Sequence, residues 1–191
     1  RKIAVIRLIT RIIFIWFMKE RKIIPNERRL IPNELFDEKK LIDILKDFHP
    51  SNDNYYKAIL QNLFFATLNT KHEERRFRSN KRGYKGYNTD FGNHNVYRYE
   101  DLFKNREEEI KKYILPIPFL NGGLFECLDY KSKNKEERKY IDGFTDLKKY
   151  QPSVPNYLFF TDEEIVDLSE DFNDKKYKKT KVKGLIKTLS Q

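Results

Sequence analysis

The stretch Ile117-Pro118-Phe119-Leu120-Asn121-Gly122-Gly123-Leu124-Phe125-Glu126 divides the chain. It sets two adjacent glycines, out of only seven, between the apolar pairs Phe119-Leu120 and Leu124-Phe125. Asn and Gly enter positive φ at little cost. The pattern therefore predicts a backbone reversal between two apolar arms, a β-hairpin-like element over 117–126. The residues before this stretch read mainly as helices, and those after it as polar and loop-rich. The expected fold is mainly α: a helical bundle, one small hairpin-like element and a loop-rich C-terminal part. Two parts are expected, residues 1–126 and residues 127–191.

Upstream, residues 2–22 form the strongest helix signal. Ile3, Ile6, Ile9, Ile13, Trp16 and Phe17 recur at helical spacing, and no Gly or Pro intervenes before Pro25. Val5, Leu8, Ile12, Phe14 and Ile15 crowd the other faces, which predicts a helix buried nearly all round. Arg7 and Arg11 share one face. Buried guanidiniums require carboxylate or carbonyl partners, for which Glu20, Glu34 and Asp37 are candidates. The same two arginines interrupt the apolar run that a membrane span would need, and no signal-peptide cleavage site follows.

Asp37 can cap a helix to about Phe48, with Leu41, Ile42, Leu45 and Phe48 inward. His49-Pro50-Ser51 stops it. Ser51 or Asn52 starts a long helix through about Thr70, with a stripe of Tyr55/Tyr56, Ile59/Leu60, Leu63/Phe64 and Thr67/Leu68. A further helix is expected over 100–113, with Leu102, Phe103 and Ile110 inside. Beyond the opening stretch, residues 130–150 read as exposed. Leu158-Phe159-Phe160 reads as a short strand or buried run. Thr161-Asp162-Glu163-Glu164 reads as the capping box of a short helix, and a last amphipathic helix begins near Val182.

Composition bounds the partners. With 191 residues the chain can bury a core, and fifteen Phe and twelve Tyr supply large pieces for it. The 39 Lys and Arg against 29 Asp and Glu leave a net charge of +10, which favours a polyanion, nucleic acid rather than membrane. A single cysteine, Cys127, excludes an internal disulfide and fits a reducing cytosol. Three scattered histidines and that cysteine make no zinc constellation. The chain lacks an initiator Met and starts inside a helix signal, so it reads as a fragment of a longer protein.

Residues 71–98 lose periodicity. They carry eight Lys or Arg against three acids, together with Phe77, Tyr84, Tyr87, Phe91 and Tyr97. Arg75, Arg76, Arg78, Lys81, Arg82 and Lys85 are candidate phosphate contacts, and Tyr84 and Tyr87 can stack on bases of an opened strand. A solvated loop with its aromatics folded back is the alternative. The Lys-rich stretch 174–187 reads as a solvated face or linker. Asp90-Phe91-Gly92 lacks the companion loops of a kinase, and Asn93-His94-Asn95 lacks the second cluster of a His/Asn nuclease. No Ser/His/Asp arrangement can be assembled.

Three phrases occur in order: Leu8-Ile9-Thr10-Arg11-Ile12-Ile13-Phe14-Ile15-Trp16-Phe17, then Tyr55-Tyr56 through Phe64-Phe65-Ala66-Thr67-Leu68-Asn69, then Pro118-Phe119-Leu120-Asn121-Gly122-Gly123-Leu124-Phe125-Glu126. This order resembles the helical connector just upstream of the methyltransferase domain in type IIG restriction–modification enzymes and related adenine-N6 DNA methyltransferases. The resemblance covers residues 3–126 and extends only loosely beyond. It implies a parent enzyme of the bacterial or archaeal cytoplasm that acts on double-stranded DNA with S-adenosylmethionine, and with Mg where an endonuclease is fused. It implies neighbouring nuclease and methyltransferase domains, the latter following residue 191, and no membrane partner. Neither a Gly-rich cofactor loop nor Asn-Pro-Pro-Tyr or Asp-Pro-Pro-Tyr occurs, so no catalytic, cofactor or metal residue carries over. The expected role is a spacer that positions catalytic domains and braces the DNA backbone. The rivals are a stand-alone DNA nuclease and a structural adaptor with no nucleic-acid contact.

Overall fold

The computed structural model describes residues 2–23, 28–77, 92–120, 123–131 and 138–191, and is organised around one helix, Tyr55–Leu68. Every side chain of these fourteen residues except Lys57 is buried. The helix is wound with the wide i→i+5 pitch, which is rare over such a length. Four of its last five carbonyls are taken up beyond the helix itself. Phe64 O accepts from Asn69 N (3.2 Å), Phe65 O from the Thr70 hydroxyl (2.8 Å), Thr67 O from Arg75 Nη2 (2.9 Å) and Leu68 O from Leu120 N (2.9 Å). The buried polar side chains within it are paired as well. Gln61 Nε2 donates to Asp142 O at 2.9 Å, and Asn62 Nδ2 donates to Arg98 O at 2.7 Å. A buried amide left without such partners costs about 1–3 kcal/mol.

The N-terminal end of this helix is capped from far along the chain. Asn156 Oδ1 accepts from Tyr55 N at 3.1 Å, while its Nδ2 donates to His49 O and Asn54 Oδ1. Asn156 immediately precedes α4 (Tyr157–Phe160), whose Phe159 and Phe160 pack edge-on against Tyr55 at 5.1 and 4.7 Å. Phe144 packs against Phe65 at 5.1 Å, and Ile186 of α5 (Leu185–Leu189) is buried in the same cluster. The boundary expected at residue 126 is therefore no boundary in the packing: residues from 127–191 cap and cover the helix that residues 1–126 supply. The expected exposure of 130–150 holds at Tyr130, Ile141 and Tyr150 but not at Asp142, Phe144 and Thr145, which are buried.

Helix α1 (Lys2–Glu20) covers one side of the core with Ile12 and Ile15, and Trp16 meets Phe36 edge-on at 5.7 Å. It is not buried all round. Ile3, Val5, Ile6 and Phe17 stand exposed, because one flank alone meets the core. Its arginines find none of the three carboxylates anticipated for them. Arg11 Nη1 pairs with Asp142 Oδ1 at 2.8 Å, Nε donates to Leu124 O at 2.8 Å and Nη2 to Glu126 O at 2.8 Å. Its guanidinium also lies over Phe65 at 5.0 Å. Arg7 donates to the same Glu126 O at 3.0 Å. Asp129 then closes the turn beyond, with Oδ1 accepting from the N–H groups of Ile141, Asp142 and Gly143 and Oδ2 from Phe144.

The protein is mainly α with small hairpin elements, as expected, but no hairpin is seen in the described part of 117–126. Gly123–Phe125 make a 3₁₀ turn, and Asn121 and Gly122 lie outside the described residues. Side chains of α1 take the carbonyls that a partner strand would have used. The antiparallel pairs instead join β1 (Lys22–Ile23) to β2 (Arg28–Arg29), β3 (Tyr130–Lys131) to β4 (Arg138–Lys139), and β5 (Glu164–Val166) to β6 (Thr180–Val182). Positive φ is required of glycine at Gly143 (φ 64°), where a Cβ would lie 2.6 Å from Pro152 Cδ.

Several local expectations shift. Asp37 caps α2 (Glu38–Ile44) through Lys39 N, but the helix stops at Ile44, where Leu45 bridges to Phe103, and Ile42 faces outward. The expected helix over 100–113 breaks at Arg106 (φ 44°), leaving a 3₁₀ turn and α3 (Glu107–Tyr113). The run at 158–160 is buried at Phe159 and Phe160 but helical, and Glu164 opens a strand in place of a capping-box helix. Among the described residues no helix is long and apolar enough to cross a membrane.

Candidate nucleic-acid interface

The basic segment leaves and rejoins the core at one place. Arg76 N donates to Asn95 O and Tyr97 N donates to Arg76 O, both at 2.9 Å, so the two stems run side by side. Asn95 Nδ2 adds a bond to Glu74 O at 2.8 Å. The Phe77 and Tyr97 rings lie 5.0 Å apart, and Tyr97 is fully buried. Asn62 on the central helix grips the returning stem at both its polar atoms: Nδ2 donates to Arg98 O and Oδ1 accepts from Arg98 N at 2.8 Å. Backbone pairing of this kind fixes where residues 77–95 start and end.

Two arginines at the base are structural. Arg75 donates to four carbonyls: Thr70 O at 3.1 Å, Leu115 O at 2.7 Å, Ile117 O at 2.8 Å and Thr67 O at 2.9 Å. It is buried, and burial lowers its pKa, opposed by the neighbouring Tyr97. A guanidinium so placed caps the negative end of the central helix and has no donor turned to a phosphate. Its candidacy as a DNA contact is thereby corrected. Arg98 is also turned inward: its guanidinium sits 4.1 Å over the Phe144 ring, and Nη2 donates to Asn93 O at 2.9 Å.

Arg76 is different. It lies in the same short stem, alternates with Arg75, and its side chain is exposed. The remaining candidates, Arg78, Lys81, Arg82, Tyr84, Lys85 and Tyr87, lie outside the described residues, as do Asp90 and Phe91. The Lys111 ammonium stands 5.4 Å from the Phe77 ring centre and is shared with Glu107 and Glu108. The Lys-rich C-terminal stretch is partly neutralised in the same way, through Lys176–Asp174, Lys181–Glu163, and Lys187 between Glu38 and Asp162.

The residues that frame the segment, Asn62, Asn95, Arg98 and Thr70, carry no motif. Asn62 is the one with a signal, an amide that, next to Gln61, interrupts a largely apolar helical run. His94 sits beside the frame with its Nε2 buried and unbonded, and burial together with the Arg98 charge lowers its pKa. Cys127 is buried, and burial pushes its thiol far up, which fits a packing residue. Among the described residues no three His, Cys, Asp or Glu side chains converge to hold a metal ion. Compared with protein-family models, curated proteins and solved structures, the chain matches none.

Proposed function

We propose that the chain is a helical connector of a DNA-modifying enzyme, which holds neighbouring domains in register and braces the DNA backbone through residues 76–95. The observation that carries this reading is a strongly basic segment fastened at both stems to a fully packed helix. Within 76–95 stand Arg76, Arg78, Lys81, Arg82 and Lys85 against the single acid Asp90. A fixed base lowers the ordering cost of contacts that such cations make with phosphates. The order of the three sequence phrases supports an adenine-N6 methyltransferase or restriction–modification parent in particular. In that reading S-adenosylmethionine binding, and Mg-dependent cleavage where it exists, belong to the adjoining domains.

The test is salt-dependent binding of duplex DNA by this chain. Charge reversal at Arg76, Arg78, Lys81 and Arg82 should weaken binding at least about tenfold at low salt and flatten the salt slope by about 0.9 for each phosphate no longer neutralised. Unchanged affinity would favour the adaptor reading, and metal-dependent cleavage by the purified chain would favour the nuclease.

A further inference from the structure

The structure leaves one side of α1 uncovered, and that side is apolar along most of its length. Ile3 is 74%, Val5 54%, Ile6 63%, Ile9 40%, Ile13 36%, Phe14 41% and Phe17 66% exposed. Ile3, Ile6, Thr10, Ile13 and Phe17 follow the three-four spacing of a two-helix seam. Thr10, the one polar side chain in the row, satisfies its hydroxyl internally on Ile6 O at 2.8 Å. Between Ile3 and Phe17 no charged side chain stands on the exposed side, since Arg7 and Arg11 turn inward to Glu126 and Asp142.

From this geometry we infer that α1 is a self-association surface, which pairs with α1 of a second copy of this chain in an antiparallel, two-fold arrangement. Area argues for an occupant of this size. At about 200 Å² for a fully exposed large side chain, the seven residues present roughly 700 Å². That exceeds the largest apolar patch of an ordinary monomer, about 300–600 Å², and approaches the roughly 800 Å² that each partner buries in a stable dimer. Charge argues for a like partner. The chain carries +10 overall, yet this face is uncharged, so two copies can meet here without opposing like charges. The antiparallel sense offsets the helix macrodipoles. Thr10, midway along the row, then lies near the two-fold axis.

Sedimentation equilibrium of the purified chain reads this directly. A concentration-dependent dimer is expected, with the double substitution Ile6→Glu/Ile13→Glu raising the dissociation constant at least about tenfold. Both sites are exposed, so circular dichroism of the variant should match the parent. As a second readout, Thr10→Cys should form a disulfide-linked dimer under mild oxidation, since the native Cys127 is buried. A chain that stays monomeric, or a dimer that survives Ile6→Glu/Ile13→Glu, overturns the inference. So does a monomer that sediments with phosphatidylcholine vesicles, which would assign the face to lipid.

Discussion

Removing Arg11 tests how the Leu124–Glu126 turn is held. In Arg11→Met the guanidinium over Phe65 is lost, and with it three hydrogen bonds, those to Leu124 O, Glu126 O and Asp142 Oδ1. Asp142 is left with its carboxylate buried, still accepting from Leu128 N at 2.7 Å, and with Arg7 at 3.9 Å as its nearest remaining cation. Breaking one partner of a buried pair costs about 3–5 kcal/mol. Because Arg7 and Leu128 N retain part of the compensation, about 3 kcal/mol is expected here. For a chain of this size that corresponds to a fall of about 6–12 °C in the melting temperature. Chemical denaturation of the parent, Arg11→Met, Asp142→Asn and the double variant would isolate the pair. The cycle should yield a coupling of about 1–3 kcal/mol, and amide exchange should accelerate first around 124–144. If Arg11→Met costs under about 1 kcal/mol, or the coupling vanishes, the guanidinium is not what fastens this turn.

Other substitutions separate roles that lie close together. Arg75→Met should destabilise by about 3 kcal/mol by orphaning buried carbonyls while leaving the salt slope of DNA binding unchanged; Arg76→Ala should do the reverse, which paired melting and binding titrations would establish. Gly143→Ala should cost at least about 2 kcal/mol, from positive φ and the encounter with Pro152, read by urea midpoint. Asn156→Ala should cost about 2 kcal/mol through the missing cap of the central helix and the abandoned Asn54 amide; an unchanged midpoint would remove it from that role. His94 has a folded-state pKa below its unfolded value. The unfolded chain therefore binds more protons between the two, and stability should fall as pH drops below about 6.5, with His94→Phe flattening that part of the profile.

The helices were legible where composition left no choice. Tyr55–Leu68 is apolar or aromatic at ten of its fourteen positions, so its existence and burial follow together, although the wide pitch does not. In α1 the apolar residues are just as dense, and density alone cannot say which flank another element will cover. Long-range partners were the least legible. Arg7 and Arg11 announce a demand for acceptors, but Asp142 lies 131 residues from Arg11, and two further acceptors are backbone carbonyls, which every residue possesses. The same blindness made Arg75 resemble Arg76 in a run of cations, since four carbonyls decide the difference. Gly143 did leave a trace: Asp142-Gly143 is a turn dipeptide, overshadowed by the glycine pair at 122–123.

The cap supplied by Asn156 has a consequence for how the chain acquires its shape. Tyr55 N is 101 residues from its acceptor, and Arg11 is 131 residues from Asp142. At about 5–20 residues per second of synthesis, α1 waits on the order of ten seconds before Asp142 emerges from the ribosome. Throughout that interval Arg11 lacks its carboxylate partner and the central helix has an open first turn. Contacts of such separation also slow refolding of the complete chain. A nascent chain of this design meets its greatest risk of mispairing before its last third exists, so a chaperone that binds apolar helices would act on α1 first.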